Sequence, residues 1–200
     1  MLHYRLNDNG RVIGIYIYYF ENPLLGFFPE QICDLECLED LFLPNNEISI
    51  IPYSIGNLKS LKYINLAYNK IEEIPDSMSN FNKLESFDVM DNNLKFIPRQ
   101  IKDIIKLTQL RLKGRSFFLK FQKEYDKALK IFEKSLEIKP DSSLTWYFFA
   151  EVFFKKKQYN KSIDACEKCL ELDPTLIEAK ILLRTVRQAF FYFHLKIKIL

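Results

Sequence analysis

Apolar residues return along the first half of the chain with a step of 23. Leu38, Leu61, Leu84 and Leu107 form one register, Leu41, Ile64, Phe87 and Leu110 a second, and Leu43, Leu66, Val89 and Leu112 a third. Asn46, Asn69 and Asn92 keep the same step, as do Pro29, Pro52, Pro75 and Pro98. Each unit reads Leu-x-x-Leu-x-Leu-x-x-Asn-x-Ile-x-x-Ile-Pro. The Leu-x-Leu step has strand period and sends two side chains to one face. The Asn falls where the chain leaves the strand, and its amide can bond backbone groups that turn away from the ladder. The Pro fixes φ on the returning arm, where no ladder donor is needed. Ile32 and Leu35, Ile55 and Leu58, then Met78 and Phe81 continue the core on that arm. One such unit cannot bury its apolar set alone, so the pattern predicts stacked repeats. It extends back one step, with Ile15, Tyr18 and Phe20 in the leucine registers and Phe28-Pro29 matching Ile51-Pro52, although Pro23 stands where Asn is expected. Asp8-Asn9-Gly10-Arg11 is a turn signal, and residues 1–14 are expected to cap the open first repeat. The last strand is expected at Leu107–Leu112. Arg115 replaces the Asn there, and Gly114 offers a change of direction.

A second period, of 34, then takes over. Tyr125 and Tyr159, Leu136 and Leu170, Glu137 and Glu171, and Pro140 and Pro174 share it. The spacing predicts paired helices, with small residues near Ala150 and Cys169 allowing close approach and Trp146, Phe153 and Tyr159 filling the gaps. An earlier unit over 109–142 keeps Tyr125, Ala128, Phe132 and Pro140, but its first helix is degenerate and is expected to start near Arg115. A third helix is expected over 175–193, its apolar face formed by Ile177, Ile181, Leu182 and Val186. The tail Phe190–Leu200 ends in Leu195-Lys196-Ile197-Lys198-Ile199, an alternation that favours a strand.

The first pattern resembles the leucine-rich repeat family in its short Ile-Pro variety, over residues ~12–115. The second resembles the tetratricopeptide repeat, a helix-turn-helix unit, over ~113–193. Together they imply an α/β leucine-rich repeat array with parallel strands on a concave face, followed by an all-α array of helical hairpins. The expected domains are a cap over 1–14, leucine-rich repeats over 15–114, tetratricopeptide repeats over 115–193 as two units plus a solvating helix, and a tail over 194–200. The helices are expected to cap the leucine-rich array, giving one elongated solenoid.

The chain is 48% hydrophobic and 28% charged, a globular composition. Residues 1–110 hold 10 Lys and Arg against 15 Asp and Glu, whereas residues 111–200 hold 19 against 11. This asymmetry supports two modules. A basic half opens the alternative of an adaptor on nucleic acid or anionic membrane, through Lys120, Lys123, Lys127, Lys130 and Lys155–Lys157. The simpler reading is a solvated helix surface, and nucleic acid is not expected as a partner. The apolar run Val12–Phe20 lacks the features of a secretory signal, and nothing reaches the length of a membrane span. Four cysteines without a dense framework suit a reducing compartment, and the expected location is cytoplasmic.

Cys166-x-x-Cys169 has redox or metal spacing, which makes a thiol or metal protein the second alternative. Both cysteines stand at packing positions inside a predicted helix, and no strand precedes them as a thioredoxin-like site requires, so core packing is the expectation. A four-thiolate site would also need Cys33 and Cys37. His3 and His194 lack a recognisable nucleophile or acid beside them, and five glycines form no phosphate loop. Asp88, Asp91 and Asn92 only weakly suggest a calcium cluster. No catalysis and no cofactor or metal are expected.

What remains is surface. In the strand pattern the residues between the leucines face outward: Tyr16, Tyr19, Phe42, Tyr63, Asn65, Tyr68, Asp88, Met90 and Arg111. Aromatics beside mixed charges are typical binding anchors. The helical module offers Tyr147, Phe148, Glu151, Phe154 and Lys155 on its inner helices. Some tetratricopeptide proteins clamp a partner's C-terminal carboxylate there with Lys and Asn, but Phe117 and Phe148 occupy the Asn positions here. The expectation is a scaffold or adaptor for a protein or peptide partner. By analogy with the short Ile-Pro type, that partner is linked to small-GTPase signalling.

Overall fold

The computed structural model describes residues 2–18, 25–119 and 124–199, without the side chains of 118, 119 and 193–199. Tyr19, Phe20, Pro23, Lys120 and Lys123 therefore lie outside the described residues, as does the side chain of His194. Two compact units appear, Met1–Thr108 and Gln109–Leu200.

Among the described residues the first unit holds five strands in chain order: β1 Leu2–Leu6, β2 Val12–Ile17, β3 Asp40–Phe42, β4 Tyr63–Asn65 and β5 Ser86–Asp88. β1 and β2 form an antiparallel hairpin, and β2 to β5 run parallel. The expected turn closes the hairpin, with Gly10 at φ 72° and the Asn7 side chain accepting from the Asn9 and Arg11 amides. The parallel strands β2 to β4 are each followed by a 3₁₀ turn after the proline, at Glu30–Asp34, Tyr53–Asn57 and Asp76–Asn80. Leu38, Leu41, Leu43, Leu61, Ile64, Leu66 and Phe87 are essentially inaccessible, and Ile32, Ile55 and Met78 meet them from the turns.

The asparagines join successive repeats. Asn69 Nδ2 donates to the carbonyls of Leu43 at 2.9 Å, Leu66 at 3.0 Å and Ala67 at 3.2 Å. Its Oδ1 accepts from the amides of Asn46 at 3.1 Å and Ile48 at 2.9 Å. Asn92 repeats the arrangement one step on, reaching the Leu66 carbonyl and accepting from the Ile71 amide, both at 2.9 Å. One side chain thus satisfies backbone groups of two turns that no strand ladder reaches.

Two expectations are corrected in this unit. Ile15 pairs with Leu41 and Tyr16 with Phe42, so β2 stands three residues out of the 23-residue step. Ile15 is buried in the place assigned to Tyr18, and Tyr18 is exposed. Alternation explains the shift: Ile15 and Ile17 share one face of β2, and the hairpin with β1 holds that register. The second correction concerns Leu107–Leu112, which is not a strand. It lies inside helix α1, Arg99–Leu119. Ile101, Ile105 and Thr108 recur with helical spacing and are buried, and Pro98 starts the helix by accepting from Ile101 and Lys102. Thr108 closes the array in place of another strand. Its Oγ1 accepts from the Phe87 amide at 2.9 Å and donates to the Ile104 carbonyl at 2.8 Å.

The second unit contains the end of α1 with α2 Tyr125–Ile138, α3 Ser143–Lys155, α4 Tyr159–Leu172 and α5 Ile177–Ile199. Aromatic rings fill it: Phe132 lies 5.6 Å from Phe148 and 5.9 Å from Phe149, and Phe149 stacks on Phe153 at 5.7 Å. Gly114 sits within α1 and makes no turn. A Cβ there would fall 2.3 Å from the Phe132 ring, so its missing side chain makes room for that ring. The 34-residue step shows in the caps, where the Lys139 amide bonds the Ser135 carbonyl and the Asp173 amide the Cys169 carbonyl. Cys166 and Cys169 are fully buried, and burial raises both thiols to about 12. On α5, Val186 is buried, whereas Ile177 and Ile181, expected on its apolar face, are 65% and 61% exposed. The backbone of the tail continues as helix to Ile199, not as a strand.

Candidate protein-interaction surfaces

The parallel register sets two rows of residues across the open face of the sheet. Asp40, Tyr63 and Ser86 form one, and Tyr16, Phe42, Asn65 and Asp88 the other. Between them Ile15, Leu41, Ile64 and Phe87 point into the core. The Tyr16 ring stacks on Phe42 with centroids 5.2 Å apart, and its hydroxyl donates to Asp40. Arg5, brought in by the hairpin, meets Asp40 at 2.8 Å and Glu39 at 3.6 Å, and Lys62 reaches Glu39 at 3.4 Å. Burial pushes the Asp40 carboxyl upward, against the pull of Tyr16 and Arg5. Burial also raises the Tyr16 hydroxyl, reinforced by Asp40.

At the strand exits Asn45, Tyr68 and Asp91 share the 23-residue step and a positive φ, at 58°, 57° and 52°. Asn and Asp tolerate this left-handed backbone, whereas an aromatic there is strained. Tyr68 is 53% exposed and Met90 42% exposed. The Asn65 and Asp88 side chains are partly occupied, accepting from the Ala67 and Met90 amides at 3.0 Å each. Burial is the main influence raising the Asp88 carboxyl. The sheet thus brings together Phe42, Tyr63, Asn65, Tyr68, Asp88 and Met90. Arg111 is corrected: it belongs to α1, is 2% exposed, and its guanidinium donates to Ser142 Oγ at 3.4 Å.

In the helical unit Tyr147 hydrogen-bonds Glu151, and burial raises both groups, with Arg115 and Lys155 drawing Glu151 back down. The Arg115 guanidinium lies over the Phe148 ring at 5.1 Å. Phe148 itself is 6% exposed and belongs to the core, not to an accessible surface, because it packs on Phe132. Phe154 is half-buried against Tyr159 and Lys155 is exposed. Sequence reasoning missed Arg5, Asp40, Arg115 and Glu178, whose charge acts on Tyr147. The 23-residue step could have placed Asp40 beside Tyr63. No spacing could have placed Arg5.

Among the described residues no group of three or more His, Cys, Asp or Glu side chains could hold a metal, and no helix is long and apolar enough to cross a membrane. The four cysteines are free thiols.

Comparison with known families agrees with this architecture. Residues 49–94 match the leucine rich repeat, and residues 115–142 and 144–176 the tetratricopeptide repeat. The chain joins leucine-rich repeats to tetratricopeptide repeats, and both are protein-interaction repeats. The Hsp70-Hsp90 organising protein of Plasmodium falciparum (isolate 3D7) is 34% identical over 61 residues, 30% of this chain and 10% of that protein. The chain thus covers a tenth of the length of this curated relative. A chain of the PEPR1-AtPEP1 crystal structure is 25% identical with a TM-score of 0.44, covering 49% of this chain and 14% of that one. A leucine-rich repeat protein of Leptospira interrogans is 23% identical with a TM-score of 0.36, covering 45% and 28%.

Proposed function

We propose that this protein is a non-catalytic adaptor that grips a polypeptide on the open face of its sheet and a second one along the inner helices of its helical unit. Tyr68 carries the reading. A bulky aromatic held in left-handed backbone costs roughly 1 kcal/mol or more, and Tyr68 nonetheless stays half exposed. Binding is what such a ring can supply. Phe42, Tyr63, Asn65, Asp88 and Met90 surround it with an amphipathic surface. Tyr147, Glu151, Phe154 and Lys155 serve the helical unit. Strand and helix backbones order these side chains before a partner arrives, which lowers the entropy lost on association.

The name of the Plasmodium relative points to Hsp70 and Hsp90. A carboxylate clamp of the kind that binds C-terminal tails is not proposed here, because Phe117 and Phe148 stand where it requires amides, and Phe148 is buried. A link to small-GTPase signalling rests on the likeness to the short Ile-Pro type alone. Binding of nucleic acid or acidic membrane through the lysine-rich half is weakened by local pairing. Lys127 meets Glu124 at 2.9 Å, Lys168 meets Glu171 at 2.8 Å, and Lys156 pairs with Asp126.

The test is affinity capture with the full chain, comparing wild type with Phe42→Ala/Tyr63→Ala and separately with Tyr147→Ala/Phe154→Ala. Each double variant is expected to lose a distinct set of proteins while unfolding at the wild-type midpoint within a few degrees. Retention of every partner by both variants refutes the assignment.

A further inference from the structure

The helical unit carries a template for how one helix receives another. On α3 one stripe holds Trp146, Phe149, Ala150 and Phe153; Ala150 and Phe153 meet α4, and Phe149 packs on Phe132 of α2. Ser162 of α4 donates to the Ala150 carbonyl at 2.8 Å, and Lys161 of α4 lies 5.7 Å over the Phe153 ring. Adding one 34-residue step gives the same face of α5: Lys180, Leu183, Arg184 and Arg187. All four line an open groove of about 510 Å³ on α5, whose remaining walls include Leu170, Phe191 and Tyr192. Phe191 and Tyr192 are 62% and 70% exposed.

The substitutions along this face have one chemical direction. Ala150 and Phe153 meet α4 with a small and an aromatic side chain, and Trp146 continues the stripe, whereas Lys180, Arg184 and Arg187 present three cations in their place. Among the described residues no carboxylate is part of the groove lining, and Glu167 of α4 pairs with Arg187 at its edge. A helix like α4, which sets buried Ala165 and Cys166 into the core, would bury those cations against apolar atoms at high cost. A segment with carboxylates beside its apolar stripe would satisfy them and still cover Leu183, Phe191 and Tyr192. The fold already contains one such contact: Glu167 of α4 reaches Arg187 at 2.7 Å.

We infer that the groove on α5 is a docking site for an acidic amphipathic helix supplied by a protein partner, separate from the sheet face and the inner-helix groove. Its apolar residues seat on Leu183, Phe191 and Tyr192. Its carboxylates, one helical turn apart, meet Lys180 and Arg184, which make no ion pair among the described residues.

The test titrates the full chain with a fluorescent synthetic helix of roughly 15 residues, built from Glu, Leu and Ala in amphipathic order. A control helix has Lys for every Glu. The acidic helix is expected to bind, and its affinity to fall about tenfold or more in Lys180→Glu/Arg184→Glu. That variant is expected to bind the Lys helix instead, a swap that general damage to the fold cannot produce. Phe191→Ala/Tyr192→Ala is expected to weaken the acidic helix without restoring the basic one. Equal binding of both helices to wild type, or unchanged binding after charge reversal, overturns the inference. So does charge-dependent binding of duplex DNA or phosphatidylserine vesicles at the same residues without binding of the acidic helix. Self-association abolished by the reversal, in the absence of peptide binding, overturns it in favour of a second copy. Because Phe42, Tyr63, Tyr147 and Phe154 are untouched, its failure leaves the proposed binding faces standing.

Discussion

The two units solve one problem in opposite ways. Each stacks repeats that cannot bury their apolar residues alone. In the strand unit a backbone that leaves the ladder after three residues exposes amides and carbonyls in the interior. Asn69 and Asn92 exist to satisfy them, so cohesion between repeats is polar and directional. In the helical unit every helix satisfies its own interior backbone, and cohesion comes from rings such as Phe132, Phe148 and Phe149. The first unit is therefore vulnerable to loss of a single amide, the second to errors of volume.

The largest effect that sharpens this contrast is expected from Asn69→Ala. It strands two buried amides and the carbonyls bonded by Nδ2, and a loss on the order of 5 kcal/mol is expected in the urea transition of the strand unit. Asn92→Ala, at a more accessible position, should lose roughly half as much. Equal or negligible losses would show that packing, not the amide, joins these repeats.

Phe132→Ala is expected to cost about 3–5 kcal/mol in the helical unit. Gly114→Ala should cost about 1–3 kcal/mol by forcing a methyl into the Phe132 ring. The double variant Gly114→Ala/Phe132→Leu should recover part of the Gly114→Ala loss in a double-mutant cycle, whereas strict additivity would place the strain elsewhere. Thr108→Val, which orphans the Phe87 amide, should lose about 1–2 kcal/mol from the strand unit. No change in its amide exchange at Phe87 would remove Thr108 as the end of the array.

The smallest effect is kinetic. Cys37 is half-buried, whereas Cys166 and Cys169 are buried with thiols raised to about 12. Iodoacetamide is expected to label Cys37 in the folded chain and the α4 pair only in urea, as read by mass spectrometry. The folded state holds the protons of Cys166 and Cys169 more tightly than the unfolded one. Their contribution to stability is full below the ordinary thiol range near ~8.5 and is lost as pH rises from there toward about 12. Rapid native labelling of Cys166 or Cys169 at neutral pH would reopen a thiol chemistry for α4.

Much of this architecture is legible in the chain because both repeat types are local rules applied several times. Leu41, Ile64 and Phe87 agree in register, and so do Asn46, Asn69 and Asn92, so no single ambiguous residue matters. The failures fall where the rule is applied for the last time. Leu107, Leu110 and Leu112 satisfy the strand spacing, yet Ile101, Ile105 and Thr108 satisfy the helical one, and nothing local arbitrates between them. At the other end β2 slips by three residues because pairing with β1, not the repeat, determines which residue points inward. Of the candidate surface, Phe42, Tyr63, Asn65 and Asp88 could be placed from alternation alone. The burial of Phe148 and Arg111 could not.

By itself, then, the order of residues determined the period, the two repeat types and the inward face of each strand, since these depend on neighbours a few positions apart and on copies at a constant step. Tertiary structure alone decided that a threonine on a helix ends the sheet, that Arg5 joins Tyr16 and Asp40, and that α5 leaves a cationic groove open. Each depends on which side chains meet across long separations, and that is settled only when competing registers are compared by what they bury and which polar groups they leave satisfied.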